Sequence, residues 1–211
     1  LVCRTHDSMS AIRRASARGG GHPPLPVRPV PLTERAQQAV GGILRPGDRA
    51  IDATVGNGHD TLFLASQVAR DGRVIGFDIQ PQALASAQQR LDQAGLQHVA
   101  RLLLCGHQRM TARIPADWSG QVSAVMFNLG YLPGGDKTRI TRADSTLSAL
   151  NQSLNLLAVG GLISLQVYRG HDGARDETAA VQSWLSGLDR RYGVTQQASP
   201  GPILYLIRRL R

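Results

Sequence analysis

The sequence predicts an α/β fold: a doubly wound, mostly parallel sheet of seven strands ending in a C-terminal hairpin that adds an antiparallel strand. Three observations lead there. From Pro31 onward, apolar runs of strand length alternate with stretches of helical apolar spacing, a pattern that suits a parallel sheet covered on both faces. The last two strand-like segments, "YGVTQQA" and "PILYLIRRL", have no helical pattern between them and should therefore pair as a hairpin. Glycine and polar residues gather in the turns after the strands, where sheets of this kind place their ligands.

Taken in order, "LTERAQQAVGGILRPGDRAIDATV" offers Thr33 as a helix cap and a short helix carrying Ala36, Ala39, Val40 and Ile43. A Pro-Gly-Asp turn and a buried strand follow. After the corner at Gly56 and Gly58, "DTLFLASQVA" has helical spacing and "GRVIGFDI" reads as a strand. "PQALASAQQRLDQAG" opens with Pro and closes with Gly, as helices do. Strands are expected near "VARLLLCG" and "VSAVMFNLGY", a helix near "STLSALNQSLNLLA", a strand at "GGLISLQVY" and a helix around "ARDETAAVQSWLSGL" before the final hairpin. No internal repeat is visible.

A chain of 211 residues can bury one ordinary core, and no apolar run approaches the roughly 20 residues that span a bilayer. The expectation is a soluble protein with no membrane partner. The net charge of +9 suits a polyanionic partner such as nucleic acid, although basicity alone does not choose one. Cys3 and Cys105 are too few for a disulfide framework and fit a reducing, cytoplasmic setting. Residues 1–30 hold five Arg against one Asp and lack periodic apolar positions. They read as a basic, Pro/Gly/Arg-rich disordered tail, either dispensable or an arm for RNA phosphates, leaving 31–211 as the functional domain.

The corner "AIDATVGNGHDTLFLA" follows the first strand, and its glycines would let the backbone approach a ligand at the start of a helix. Asp78 closes "VIGFDIQ" about twenty residues on, where a carboxylate can accept both hydroxyls of a ribose. A dinucleotide would share these features, but its fingerprint needs a third small residue, and here His59, Asp60 and Thr61 follow the glycines. An acid at that helix terminus disfavours pyrophosphate and favours a cationic ligand, such as the sulfonium and amino group of S-adenosylmethionine.

The second informative stretch is "NLGYLPGGDK", placed after the fourth strand. Amino-directed methyltransferases place Asn or Asp, two small or proline residues and an aromatic at that point. Asn128, Leu129, Gly130 and Tyr131 resemble that arrangement with altered middle positions. The Asn carbonyl can hold an amine's hydrogens and aim its lone pair, while the aromatic face stacks on the base that carries it.

Together, "DATVGNGHDTLFLA", "GFDIQ", "NLGYLPGGDK" and "GGLISLQVYRGHDGARDE" resemble the MnmM-type tRNA wobble-uridine methyltransferases, from about Thr33 to the C-terminus. The resemblance implies a Rossmann-like class I methyltransferase fold and S-adenosyl-L-methionine as cofactor. It also implies methylation of the aminomethyl group of 5-aminomethyl-2-thiouridine in the tRNA anticodon stem-loop. The first thirty residues have no counterpart in the family pattern. On this resemblance Gly56, Asn57 and Gly58 contact the methionine end of the cofactor, and Asp78 holds the ribose with Gln80 close by. Gly106 and His107 lie near the adenine, His107 through backbone or ring. His59 and Asp60 either cap a helix or contact the cofactor. Asn128 and Tyr131 face the substrate. Gly134, Gly135, Asp136 and Lys137 form a loop over it, with Lys137 toward phosphate. Tyr168, Arg169 and His171 follow the fifth strand, where His171 either accepts the ammonium proton or hydrogen-bonds a loop. No paired metal-ligand spacing is present, so no metal is expected. Self-association into a homodimer is left open. Methylation of another RNA, including rRNA, or of a small amine is the alternative, and a non-catalytic RNA-binding module is a third reading.

Overall fold

The computed structural model describes residues 30–130, 141–169 and 174–211. Its elements run α1 (Leu32–Gly41), β1 (Arg49–Asp52), α2 (His59–Val68), β2 (Arg73–Asp78), α3 (Pro81–Gln93), β3 (Ala100–Leu104) and β4 (Val122–Leu129). They continue with α4 (Ala143–Leu156), β5 (Leu157–Tyr168), α5 (Ala174–Ser186), β6 (Tyr192–Ala198) and β7 (Pro202–Arg209). Two 3₁₀ turns, His107–Ala112 and Ala116–Trp118, fill the crossover between β3 and β4.

One seven-stranded sheet has the order β3-β2-β1-β4-β5-β7-β6. All neighbouring pairs are parallel except those made by β7, which runs antiparallel to both β5 and β6. The expected doubly wound sheet with one antiparallel strand from a terminal hairpin is therefore what forms, and the strand order reverses between β1 and β4.

Alternation along the strands sorts side chains between the two faces. Ala50, Val74, Ala124, Met126 and Leu162 pack with Val40 of α1, Leu64 and Val68 of α2 and Leu91 of α3. Ile51, Ile75, Phe77, Val125, Phe127 and Ile163 pack on the other face with Leu150 of α4 and Val181 of α5. Each fully buried aliphatic side chain contributes roughly 1.5–3 kcal/mol, which is why both faces must be covered. The same parity places Asp52, Asn128 and Gln166 on the face that α1–α3 cover, and this proves decisive for the site.

Two local expectations change. Thr33 is not the cap of α1: Pro31 holds that position, and Thr33 lies in the first turn with no side-chain capping bond from either end residue. Proline has the fixed φ that a helix entry needs, so the chain turns in two residues earlier. The helix before β5 ends at Leu156, and β5 starts at Leu157. Its pairing with β4 jumps from Val122↔Leu157 to Ala124↔Leu162, and Gly160 at φ 81° absorbs the extra residues. Strand pairing here overrides a helical apolar pattern.

Candidate functional site

The carboxyl ends of β1, β2, β4 and β5 open onto a cavity of about 840 Å³, at the point where the strand order reverses. Gly56, Asn57, His59 and Asp60 line it from the corner after β1, and Asp78, Ile79 and Gln80 from the end of β2. Gly106 and His107 line it after β3, Asn128 from the end of β4 and Tyr168 from the end of β5.

The corner is held by short backbone bonds. Ala53 N–H donates to the Met126 carbonyl (2.9 Å), Val55 N–H to Phe77 (3.0 Å) and Gly58 N–H to Val55 (2.8 Å). Gly56 and Gly58 adopt positive φ, 50° and 81°. Their duties differ. Gly56 borders the cavity, whereas Gly58 is absent from its lining, and a Cβ there would lie 2.5 Å from Ala87 Cα. Gly58 thus lets α2 pack against α3, a packing duty that the expectation of a ligand contact did not include. Asn57 lines the cavity, and its carbonyl accepts from Arg90 Nε (2.7 Å) on α3.

Three carboxylates converge on this corner. Asp78 accepts from Gly56 N–H (2.9 Å) through one oxygen and from Gln80 N–H (2.9 Å) through the other, leaving lone pairs for a diol. Asp52 is fully buried and accepts from Thr61 Oγ1 (2.6 Å) and Thr54 N–H (3.1 Å). Burial first, and the nearby charge of Asp60 second, push its pKa up to about 7, against the pull of the Thr61 and Thr54 bonds. Asp60, in the first turn of α2, accepts from Gln37 Nε2 (2.7 Å) and from Asn128 Nδ2 (2.5 Å). Neither His59 nor Asp60 is the cap of α2, because Gly58 occupies that position.

His107 is buried and edge-on to Phe127, and its Nδ1 lies 3.0 Å from the Ala53 carbonyl. A carbonyl only accepts, so Nδ1 carries the proton. Burial holds the ring below its ordinary pKa, and the neutral tautomer leaves Nε2 as an acceptor. On the opposite wall, Asn128 N–H donates to Thr54 Oγ1 (2.7 Å), tying β4 to the corner after β1. Tyr168 accepts at its hydroxyl from Gln166 Nε2 (2.5 Å), and burial raises its pKa. Gln166 pairs in register with Asn128.

Arg169 is not brought to the cavity. Its guanidinium donates to the carbonyls of Ser199 (2.6 Å) and Gly201 (3.0 Å) in the β6–β7 turn, because its side chain points to the hairpin rather than across the sheet. Tyr131, Gly134, Gly135, Asp136, Lys137 and His171 lie outside the described residues, as does the proposed basic tail apart from Val30.

Several lining residues carry no sequence signal that would place them at a cavity. Thr33 and Gln37 reach the cavity from α1, where polar side chains at solvent spacing look like any exposed helix face. Thr54 and Gln108 are plain polar neighbours of the residues singled out. Thr141, Arg142 and Ser145 enter with α4. Thr141 N–H donates to the Gly130 carbonyl (3.1 Å), and its hydroxyl donates to buried Glu177 (2.8 Å), which also accepts from Thr146 (2.7 Å). Only the folded chain brings β4, α4 and α5 together there. Among the described residues, no group of three or more His, Cys, Asp or Glu side chains is arranged to hold a metal ion, and no helix is long and apolar enough to cross a membrane.

Comparison with known proteins agrees with this fold. The family model described as "Putative rRNA methylase" matches residues 74–201. The chain is 43% identical over 164 residues to an Arabidopsis thaliana chloroplastic tRNA (mnm(5)s(2)U34)-methyltransferase, covering 74% of this chain but only 59% of that relative's length. A Clostridium thermocellum protein of the same description as the family superposes with a TM-score of 0.81 at 38% identity, covering 87% of this chain and all of the other (100%). A Streptococcus mutans methyltransferase solved in complex with SAH gives 0.76 at 31% identity, with coverage of 87% and 100%.

Proposed function

The chain belongs to this rRNA methylase family, and from that premise we propose that it is an S-adenosylmethionine-dependent tRNA methyltransferase. Its acceptor is the aminomethyl group of 5-aminomethyl-2-thiouridine at the wobble position, and its product is 5-methylaminomethyl-2-thiouridine. Asn128 carries the reading. It stands at the end of β4 beside the acidic corner, with its amide nitrogen already engaged by Asp60 and its carbonyl left to accept from an amine.

The residues present fit the cofactor. Asp78 keeps free lone pairs for ribose hydroxyls, and Ile79 beside it is an apolar side chain 49% exposed in the wall, suited to an adenine face. Gly106 and His107 complete that side, with His107 Nε2 available as an acceptor. Gly56, Asn57 and His59 border the methionine end. When bound, S-adenosylmethionine supplies a methyl group on a sulfonium that is its own leaving group. The protein's part is alignment: Asn128 fixes the direction of the amine lone pair, Tyr168 presents a ring to the base, and Arg142 at the cavity offers a cation to RNA phosphate. A net charge of +9 supports a nucleic-acid substrate, and the free thiol of Cys105 suits a reducing compartment such as the cytoplasm.

The test is transfer of one methyl group from labelled cofactor to tRNA bearing 5-aminomethyl-2-thiouridine, followed by nucleoside mass spectrometry. We expect the methylaminomethyl product. Methylation of ribosomal RNA instead, as the family description reads, would replace the tRNA substrate, and the methylated nucleoside would show whether the acceptor is an amine. No methylation of either RNA would overturn the proposal.

A further inference from the structure

The contact that most restricts the acceptor side is made by a residue that the methyl-transfer chemistry does not itself require. Asp60 sits one residue into α2, yet its carboxylate does not cap the helix. One oxygen takes Gln37 Nε2 from α1 and the other takes Asn128 Nδ2 from β4. Building on the amine-methylating reading above, we propose that Asp60 is a positioning residue: it locks the Asn128 amide with its carbonyl oxygen turned to the cavity, while Gln37 fixes the carboxylate that does so.

The argument is one of donors and acceptors. A terminal amide can turn over, exchanging its oxygen for its NH₂, and the two faces have opposite meanings for an amine. The oxygen accepts an N–H and steers the nitrogen lone pair forward. The NH₂ would compete for that lone pair. An ionised carboxylate has nothing to donate, so an amide against it must present nitrogen. Asp60 therefore permits only one of the two orientations of Asn128. The rest of Asn128 is also held: its N–H is taken by Thr54 Oγ1, and β5 flanks it in register with Gln166. Among the described residues, no donor engages Asn128 Oδ1. Gln37 does for Asp60 what Asp60 does for Asn128, because its Nε2 holds the second carboxylate oxygen and stops the group rotating away. The resulting chain, α1 to α2 to β4, joins elements 23 and 68 residues apart in sequence.

An alternative role for Asp60 is charge alone, as a counter-ion to a cationic ligand; a second is stabilisation of the α2 N-terminus. Two substitutions separate these from positioning. Asp60→Ala removes the acceptor, and single-turnover methylation should slow by roughly ten- to a hundredfold, with KM for tRNA and cofactor affinity changed only a few-fold. Asp60→Asn removes the charge but keeps an oxygen for Asn128, since Gln37 can turn its own oxygen to the new NH₂. It should recover most of the rate lost in Asp60→Ala. Adding Gln37→Leu to Asp60→Asn should lose the rate again, because the acceptor is then free to turn. If Asp60→Asn is as slow as Asp60→Ala, or if the whole loss lies in cofactor affinity, the residue acts by charge and the proposal falls. A rate loss that merely follows a lowered melting temperature assigns it to the helix and also overturns positioning.

A readout that needs no methylation keeps this test apart from that of the function. The side-chain amide resonances of Asn128 in the ¹⁵N spectrum of the SAH-bound protein should move on Asp60→Ala and stay much closer to their original positions on Asp60→Asn. Unmoved resonances in Asp60→Ala overturn the inference even in an active enzyme. Should the wild-type protein methylate no tRNA, the substrate reading fails, and the resonances still decide whether Asp60 sets the amide.

Discussion

At the ends of β1 and β2 the cavity wall is held by a carboxylate bonded to backbone N–H groups of neighbouring loops, whereas at the ends of β4 and β5 it is held by side chains meeting across the fold. Asp78 finds its partners at Gly56 and Gln80, both in the turns that follow adjacent strands. Asn128 finds its partner at Asp60 on α2, and Thr141 finds its partner at Glu177 on α5. The first wall is set by two successive βα units and exists once they pair. The second depends on α1, α2, α4 and α5 all docking. On the proposed function the contrast divides the labour as well, the first wall serving a constant cofactor and the second an acceptor that has to be aimed.

If the two walls act separately, a change in the acceptor wall should leave cofactor binding alone. Asn128→Ala is the largest such effect: turnover should fall by about two to three orders of magnitude while SAH affinity moves only a few-fold, because alignment is realised at the reacting centre. Calorimetry and single-turnover assays on the same variant check it, and equal losses in both would erase the distinction. The reverse experiment is Asp78→Ala, which should weaken cofactor binding by about ten- to a hundredfold, the worth of one charge-assisted contact. Calorimetry showing unchanged affinity in the folded variant would remove Asp78 from the cofactor wall.

Asp52 lies beneath both walls and sharpens the comparison through pH. Its folded pKa of about 7 is above the ordinary 3.8, so between roughly pH 4 and 7 the folded state keeps a proton that the unfolded state has released. Stability should therefore decline as pH rises through that window, by up to a few kcal/mol, and level off above it. Asp52→Asn should flatten that slope and raise the melting temperature at pH 8. An unchanged slope would mean that Asp52 is ionised throughout.

The smallest effect is expected outside both walls. Removing residues 1–28 should leave melting temperature and SAH affinity as they are, and should weaken tRNA binding modestly, more at low than at high salt. A truncated chain that fails to fold would move the proposed domain boundary.

How far each wall could be read in advance follows the same division. Gly56 with Asp78 was legible because the pattern is local: a strand end, a glycine, a helix start and an acid at the end of the next strand. Gly58 shows the limit even there, since its need for space arises at Ala87 on α3, which no local pattern announces. Asn128 was legible as a residue but not as a geometry. Nothing in "NLGY" says that its amide nitrogen is occupied, and nothing in "LTERAQQAV" distinguishes Gln37 from an ordinary solvent-facing residue. Arg169 looked like a cation at a strand end and proved to hold the β6–β7 turn.

The sequence by itself determined the alternation of strands and helices, the terminal hairpin, the acidic glycine corner and an Asn at the end of the fourth strand. These rest on periodicity, backbone freedom and charge, which are properties of neighbouring residues. The tertiary structure alone decided which helix covers which face, and so which side chains meet Asn128, which threonines meet Glu177 and where Arg169 points. Those outcomes depend on strand order and side-chain parity within one sheet, and a contact between residues 68 apart has no local signature because its energy arises only after the sheet has assembled.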